Sequence, residues 1–309
     1  MHFYFPVGPK GPSDRLQKRV VDKYFEQLST SMNPAATRGF ALAFGYLPAK
    51  LLAPSSKVLD ISLSALCQAS RLDATVGNEK DAETRRNALT SLARITLTVG
   101  VYRESNDTEC IVRVSTRQVN HVFKAFFLSL NDYNMERRGD VGSWSRIKAM
   151  EGLASLAIHT TKDLQRRDDY FDKETCTRMI GGLLKQLSEK LDVVRAHAGE
   201  CLLQILTHSD PPIPHIPHRE RLLEVLKLSD LVSSLNQSIN WSDASTTFPM
   251  VMEAAALNEY FDYIISGIVI SVGCLTESVS KNASRVLLLW TKDARGTSAI
   301  QNLGKGELI

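Results

Sequence analysis

The sequence predicts an all-α chain, a HEAT- or armadillo-like α-solenoid of paired helices. Three observations predict it: apolar residues recur at helical spacing, no comparable stretch alternates with period two, and an Arg-x-x-Ala-x-x-x-Leu pattern returns along the chain. The spacing is clearest where Val119, Val122, Phe123, Phe126, Phe127 and Leu130 fall on one side of a helical turn. Val194, Ala198, Cys201, Leu202 and Ile205 repeat the logic, as do Leu16, Val20, Tyr24 and Leu28.

Breaks fall where helices need them. Pro12-Ser13 precedes the first, Asn33-Pro34 opens the second and Pro48 follows it, Pro54 opens a third and Gly100 closes a fourth. The pattern gives about a dozen helices of roughly 10 to 20 residues. Longer loops are expected at 100–112, 131–142, 209–219 and 238–248, each rich in Asp, Asn, Ser, Pro or Gly.

The repeated pattern stands at Arg85-Ala88-Leu92, Arg146-Ala149-Leu153 and Arg195-Ala198-Leu202, with weaker copies at Arg38-Ala41-Gly45 and Lys281-Ser284-Leu288. Ala permits close helix approach and Leu fills the groove one turn later, while Arg is expected at the solvent edge of the helix start. Asp192 is placed to cap the helix of the third copy. From Arg38 to Arg85, Arg146 and Arg195 the steps are 47, 61 and 49 residues, against a period of about 40 to 47 for HEAT and armadillo repeats. The long step fits an insertion near 100–112.

With 309 residues, 43% of them apolar, the chain can bury a sizeable core. A net charge of +3 is too small for a nucleic-acid partner. The pairs Arg85-Arg86, Arg137-Arg138 and Arg166-Arg167 read as solvated helix ends or loops. Cys67, Cys110, Cys176, Cys201 and Cys274 are widely spaced with no Cys-x-x-Cys, as in a reduced cytoplasmic protein. The opening Met-His-Phe-Tyr-Phe-Pro carries no basic segment ahead of a long apolar one, so no secretory signal is expected. The apolar run from Tyr263 to Leu275 is short of the roughly 20 residues that span a bilayer, so no membrane insertion is expected.

Signatures of catalysis are missing: there is no phosphate-binding Gly-rich loop, no GxSxG elbow and no HExxH helix. The expectation is of no catalytic residue, no cofactor and no metal. His208, His215 and His218 are the best metal candidate, but interleaved prolines make their segment read as a stiff strap between helices. Arg138-Gly139-Asp140 spells an adhesion tripeptide; here Gly139 suits a tight turn, and Asp140 or Ser143 can cap the helix running through Trp144. Trp241, in a polar stretch, must either pin a loop or await a partner.

Three stretches resemble the tubulin-folding cofactor D family: NPAATRGFALAFGYLP from Asn33, NDYNMERRGDVGSWSR from Asn131, and RAHAGECLLQILTHSDPPIPHIPHR from Arg195. The similarity continues through Asn240-Trp241-Ser242 and VISVGCLTES from Val269, so it covers roughly 30–295. It implies a cytoplasmic chaperone of HEAT-like repeats that binds β-tubulin, with microtubule association. It further implies work with tubulin-folding cofactors E and C and an Arf-like small GTPase in assembling and dismantling the αβ-tubulin dimer. Any GTPase-activating role would belong to that multi-cofactor complex. Family members are longer, so this chain corresponds to a C-terminal portion. It is expected to be one HEAT-like segment over 1–309 with a flexible tail at 296–309. Tubulin is acidic, so Arg137 and Arg138, with Trp241, are the expected partner-binding residues. Two other readings are a generic HEAT-repeat scaffold, which leaves RGDVGSW and PPIPHIPHR unexplained, and a metal enzyme built on the three histidines.

Overall fold

The computed structural model describes residues 14–72, 81–102, 111–229 and 239–292. These form two compact units, one up to Tyr170 and one from Phe171. Cys110 and the expected tail at 296–309 lie outside the described residues.

In the first unit the helices are α1 (Asp14–Ser29), α2 (Pro34–Phe44), α3 (Ala49–Leu52), α4 (Ser56–Ala69), α5 (Ala82–Val99), α6 (Thr116–Ser129), α7 (Gly142–Thr160) and α8 (Arg167–Tyr170). They pack in pairs, α1 on α2, α4 on α5 and α6 on α7, in two layers. One layer stacks α2, α5 and α7; the other stacks α1, α4 and α6. This is the helical-repeat arrangement the periodicity predicts. Val119, Val122, Phe123, Phe126 and Phe127 of α6 and its cap residue Leu130 are all buried, while Leu128 on the other face is exposed. Ser115 and Gln118 form a reciprocal capping box at its start, Asn33 caps α2, Ser55 caps α4, and Gly100 closes α5 at φ +74.

The repeated pattern marks the α2, α5, α7 layer. Ala41, Ala88, Ala149, Leu92 and Leu153 are fully buried. Ser91 on α5 donates to the Ala41 carbonyl at 2.6 Å and accepts from the Gly45 amide at 3.0 Å, fastening α2 to α5. The long step between Arg85 and Arg146 also holds a hairpin at 135–140, while 103–110 falls outside the described residues.

The second unit comprises α9 (Lys173–Leu187), α10 (Asp192–Thr207), α11 (Arg219–Val225), α12 (Ala244–Ala254), a 3₁₀ turn (Asn258–Tyr260), α13 (Phe261–Val272) and α14 (Glu277–Lys292). Here α9 packs on α10 and α13, and α14 packs on α12 and α13. A methyl group at Gly267 would lie 2.6 Å from the Lys185 carbonyl, so its absence lets α13 approach α9 closely; Ser271 then donates to the Ser188 carbonyl at 2.7 Å. Leu202 is fully buried on α10.

Four expectations are corrected. The pattern arginines are not at a solvent edge: Arg85, Arg146 and Arg195 are 1%, 0% and 2% exposed. The last weak copy fails, since Leu288 is exposed. Asp192 is the first helical residue rather than the cap, accepting from the Val193 amide at 2.7 Å. The loop expected through 248 ends at Asp243, whose carboxylate accepts from the Ser245 amide at 2.9 Å and starts α12. Burial of Thr247 and Phe248 outweighs the Ser, Thr and Pro composition that reads as loop.

Candidate partner-binding surface

Beyond α6 the chain forms a small antiparallel hairpin, β1 (Met135–Glu136) with β2 (Gly139–Asp140), Met135 facing Asp140 and Glu136 facing Gly139. Arg137 and Arg138 are its two-residue turn, followed by Gly139 at φ +98, a conformation side chains resist. Strands of two residues are too short to show period two in the sequence. Asp140 then accepts from the Ser143 amide at 3.1 Å, and the Ser143 hydroxyl donates to the Asp140 carbonyl at 2.6 Å, starting α7. The turn is as the sequence predicts, but neither capping candidate holds the cap position: Val141 does, with Asp140 one residue before it and Ser143 inside the first turn.

Two buried pattern arginines clamp this hairpin from beneath. Arg85 on α5 donates to the Asp132 carboxylate at 2.9 Å. Arg146 on α7 donates to both oxygens of Asp140 at 3.1 Å and to the Asp132 carbonyl at 2.6 Å, with its guanidinium 4.3 Å from the Tyr133 ring centre. A methyl group at Gly142 would sit 2.2 Å from the Asp132 carbonyl oxygen, so only glycine permits this closeness. Buried charges need such full partnering.

The two turn arginines differ. Arg137 is exposed and has no ion pair or hydrogen bond among the described residues. Arg138 pairs with Glu83 and, at 2.6 Å, with Glu136, and its guanidinium lies 5.0 Å from the Trp144 ring centre. Arg86 approaches the same ring at 5.9 Å. Glu83 also lies 3.8 Å from Arg38, which pairs with Asp81 at 3.1 Å. The hydrogen bond from Arg138, aided by Arg38, holds the Glu83 carboxyl down to about 2 against the opposing effect of burial. Glu83 and Glu136 in turn push the Arg138 guanidinium further into its charged form.

Trp241 is buried in the second unit. A methyl group on Gly199 of α10 would meet its ring at 2.2 Å, so the indole fills the space a side chain would take. Arg195, the third pattern arginine, donates to the Glu189 carbonyl at 2.7 Å, the Lys190 carbonyl at 2.9 Å and the Ser242 carbonyl. Trp241 therefore pins the loop at 239–243, the first of the two roles its sequence context allows. Burial lowers the Arg195 pKa, against the raising fields of Asp192, Asp243 and Glu189.

The histidine segment is tied down as a strap. Ile213 and Ile216 are buried, Cys176 Sγ lies 3.2 Å from the Pro214 carbonyl, and the Tyr260 hydroxyl donates to the Pro217 carbonyl at 2.8 Å. Arg219 donates to the carbonyls of Leu206 and His208 at 2.6 and 2.7 Å. His218 contacts Glu259 at 3.0 Å, and Glu259 also pairs with Lys173 at 3.2 Å. Among the described residues no three His, Cys, Asp or Glu side chains are grouped to hold a metal ion. No described helix is long and apolar enough to cross a membrane. Cys67, Cys176, Cys201 and Cys274 form no disulfide.

Layered helix pairs with loops fastened by buried arginines define a helical-repeat protein. Residues 177–305 match the family model described as tubulin folding cofactor D C terminal. The chain is also 25% identical over 280 residues to a tubulin-specific chaperone D of Dictyostelium discoideum, an alignment taking in 82% of this chain and 18% of that protein. It thus spans under a fifth of that relative's length. Among solved structures, an engineered protein shares 16% identity, covering 86% of this chain and 67% of its own, at a TM-score of 0.28 that carries no argument. The two sequence matches bear out the resemblance to the C-terminal region of tubulin-folding cofactor D. The strap and Trp241 lie inside the matched stretch, and the arginine hairpin lies before it.

Proposed function

We propose that this chain is a non-catalytic tubulin-folding cofactor region that binds β-tubulin during assembly and disassembly of the αβ-tubulin dimer in the cytoplasm. It acts alongside cofactors E and C and an Arf-like small GTPase, and any GTP hydrolysis belongs to tubulin or to that GTPase. The observation carrying the reading is the match of residues 177–305 to the cofactor D C-terminal family, joined by the relative's name.

Arg137 and Arg138 supply an electrostatic part of the contact. They sit at the tip of a hairpin held by buried ion pairs, so little ordering cost attends their use. Trp241 contributes by fixing its loop, since its ring is enclosed. Exposed ion pairs are worth about 0 to 1 kcal/mol each, so Arg137→Glu with Arg138→Glu weakens binding without abolishing it. The weakening shrinks as salt rises, because screening acts over about 8 to 10 Å at physiological ionic strength. The test is tubulin affinity of the wild type and the double variant at low and high salt. Equal affinities throughout remove the hairpin from the contact, and a wild-type chain that does not retain tubulin overturns the whole reading.

A further inference from the structure

We propose that Glu83 and Glu136 stand in for a partner's carboxylates: they occupy Arg138 until an acidic segment displaces them, so the hairpin is an acid-binding site held in a self-paired state. This deepens the tubulin-binding reading and rests on it for the choice of partner.

The geometry separates exchangeable pairs from fixed ones. Arg85 and Asp132 are 1% and 3% exposed, and neither can be reached by a partner without unfolding the clamp. Arg138 is 45% exposed, and its carboxylates, Glu83 and Glu136, are 19% and 35% exposed. An exposed pair of this kind contributes little and is open to competition. What holds the guanidinium in place through an exchange is the Trp144 face beneath it, at 5.0 Å, which does not depend on which carboxylate lies at its edge. Glu83 has a second cation waiting, since Arg38 lies 3.8 Å away, so releasing Arg138 does not leave Glu83 bare. Arg137, beside it and without an internal partner among the described residues, is the first point of contact. The ligand class that fits is a peptide segment with consecutive carboxylates, one for Arg137 and a pair for Arg138.

The test uses the full chain and a short fluorescent polyglutamate peptide, read by anisotropy. Glu83→Gln should tighten binding about threefold, and Glu83→Gln with Glu136→Gln up to about tenfold. Glu26→Gln, which removes an exposed carboxylate paired to Lys23 on α1, serves as the charge-matched control and should leave the affinity unchanged. Adding Arg138→Ala to the double variant should erase the gain. No tightening in the double variant, an equal gain in the control, a gain that survives Arg138→Ala, or no binding by any variant overturns the proposal. Glu136→Gln alone, in a two-residue strand rather than at a helix start, guards against a folding effect of Glu83→Gln. If tubulin is not retained but the glutamine variants still tighten on the peptide, the tubulin reading fails and the self-pairing stands. If tubulin binds through the hairpin and the glutamine variants change nothing, only the self-pairing fails.

Discussion

Arg85 and Asp132, 47 residues apart along the chain, meet in an ion pair of 2.9 Å with both side chains closed off from water. Asp132→Ala strands a buried guanidinium and should destabilise the protein by about 3 to 5 kcal/mol. The double change Arg85→Met with Asp132→Leu should recover much of that loss, because no charge is then left without water or a partner. Urea denaturation of the three proteins decides. A single variant as stable as wild type would show that the clamp is not closed in solution.

Gly199 and Trp241 form the second clamp to test. Gly199→Ala drives a methyl group into the indole ring, and overpacking of this kind costs about 1 to 3 kcal/mol. The expected readout is lower stability with red-shifted tryptophan emission as the ring is pushed out. Trp241→Leu in the same chain should relieve the clash. Unchanged emission and stability in Gly199→Ala would place the ring elsewhere.

The depressed Glu83 carboxyl gives stability a pH dependence of known sign. Its folded pKa, about 2, lies below the ordinary value of 4.5, so the folded state holds the charged form more strongly than the unfolded state does. That contribution is present above about 4.5 and fades as pH falls toward about 2. Glu83→Gln should therefore lose less stability than wild type when denaturation is compared at about pH 5 and about pH 3. Parallel losses in the two proteins would refute the Arg138 pairing as the cause.

Thiol chemistry should follow burial. Burial pushes the Cys67 and Cys176 thiols up to about 12, which leaves almost no thiolate at neutral pH, while Cys274 is only half-buried. Under native conditions, alkylation mapped by peptide mass should reach Cys274 well before Cys67 or Cys176. Prior labelling of either buried cysteine would contradict the packing around α4 or α9.

Helices were legible because their signal is local. The spacing of Val119 to Leu130 on α6, and Asn33 and Gly100 at helix ends, depend only on near neighbours in sequence. The role of the pattern arginines was not, because burying Arg85 requires Asp132, and burying Arg195 requires the Ser242 carbonyl, each 47 residues away. Nothing within one helix says whether such a partner exists, so a solvent-edge position was the expectation. The turn arginines show the same limit. Adjacent and identical in type, they differ because Glu83, from another helix, reaches only Arg138.

Arg195 reaches its loops only through main-chain oxygens, those of Glu189, Lys190 and Ser242. Every residue type carries that oxygen, so the tether places no demand on which side chains occupy those three positions. As far as this tether goes, those three positions can change residue type while the anchorage survives, and the loop at 239–243 stays bound as well through the enclosed Trp241 ring. The constraint falls instead on one buried arginine of α10.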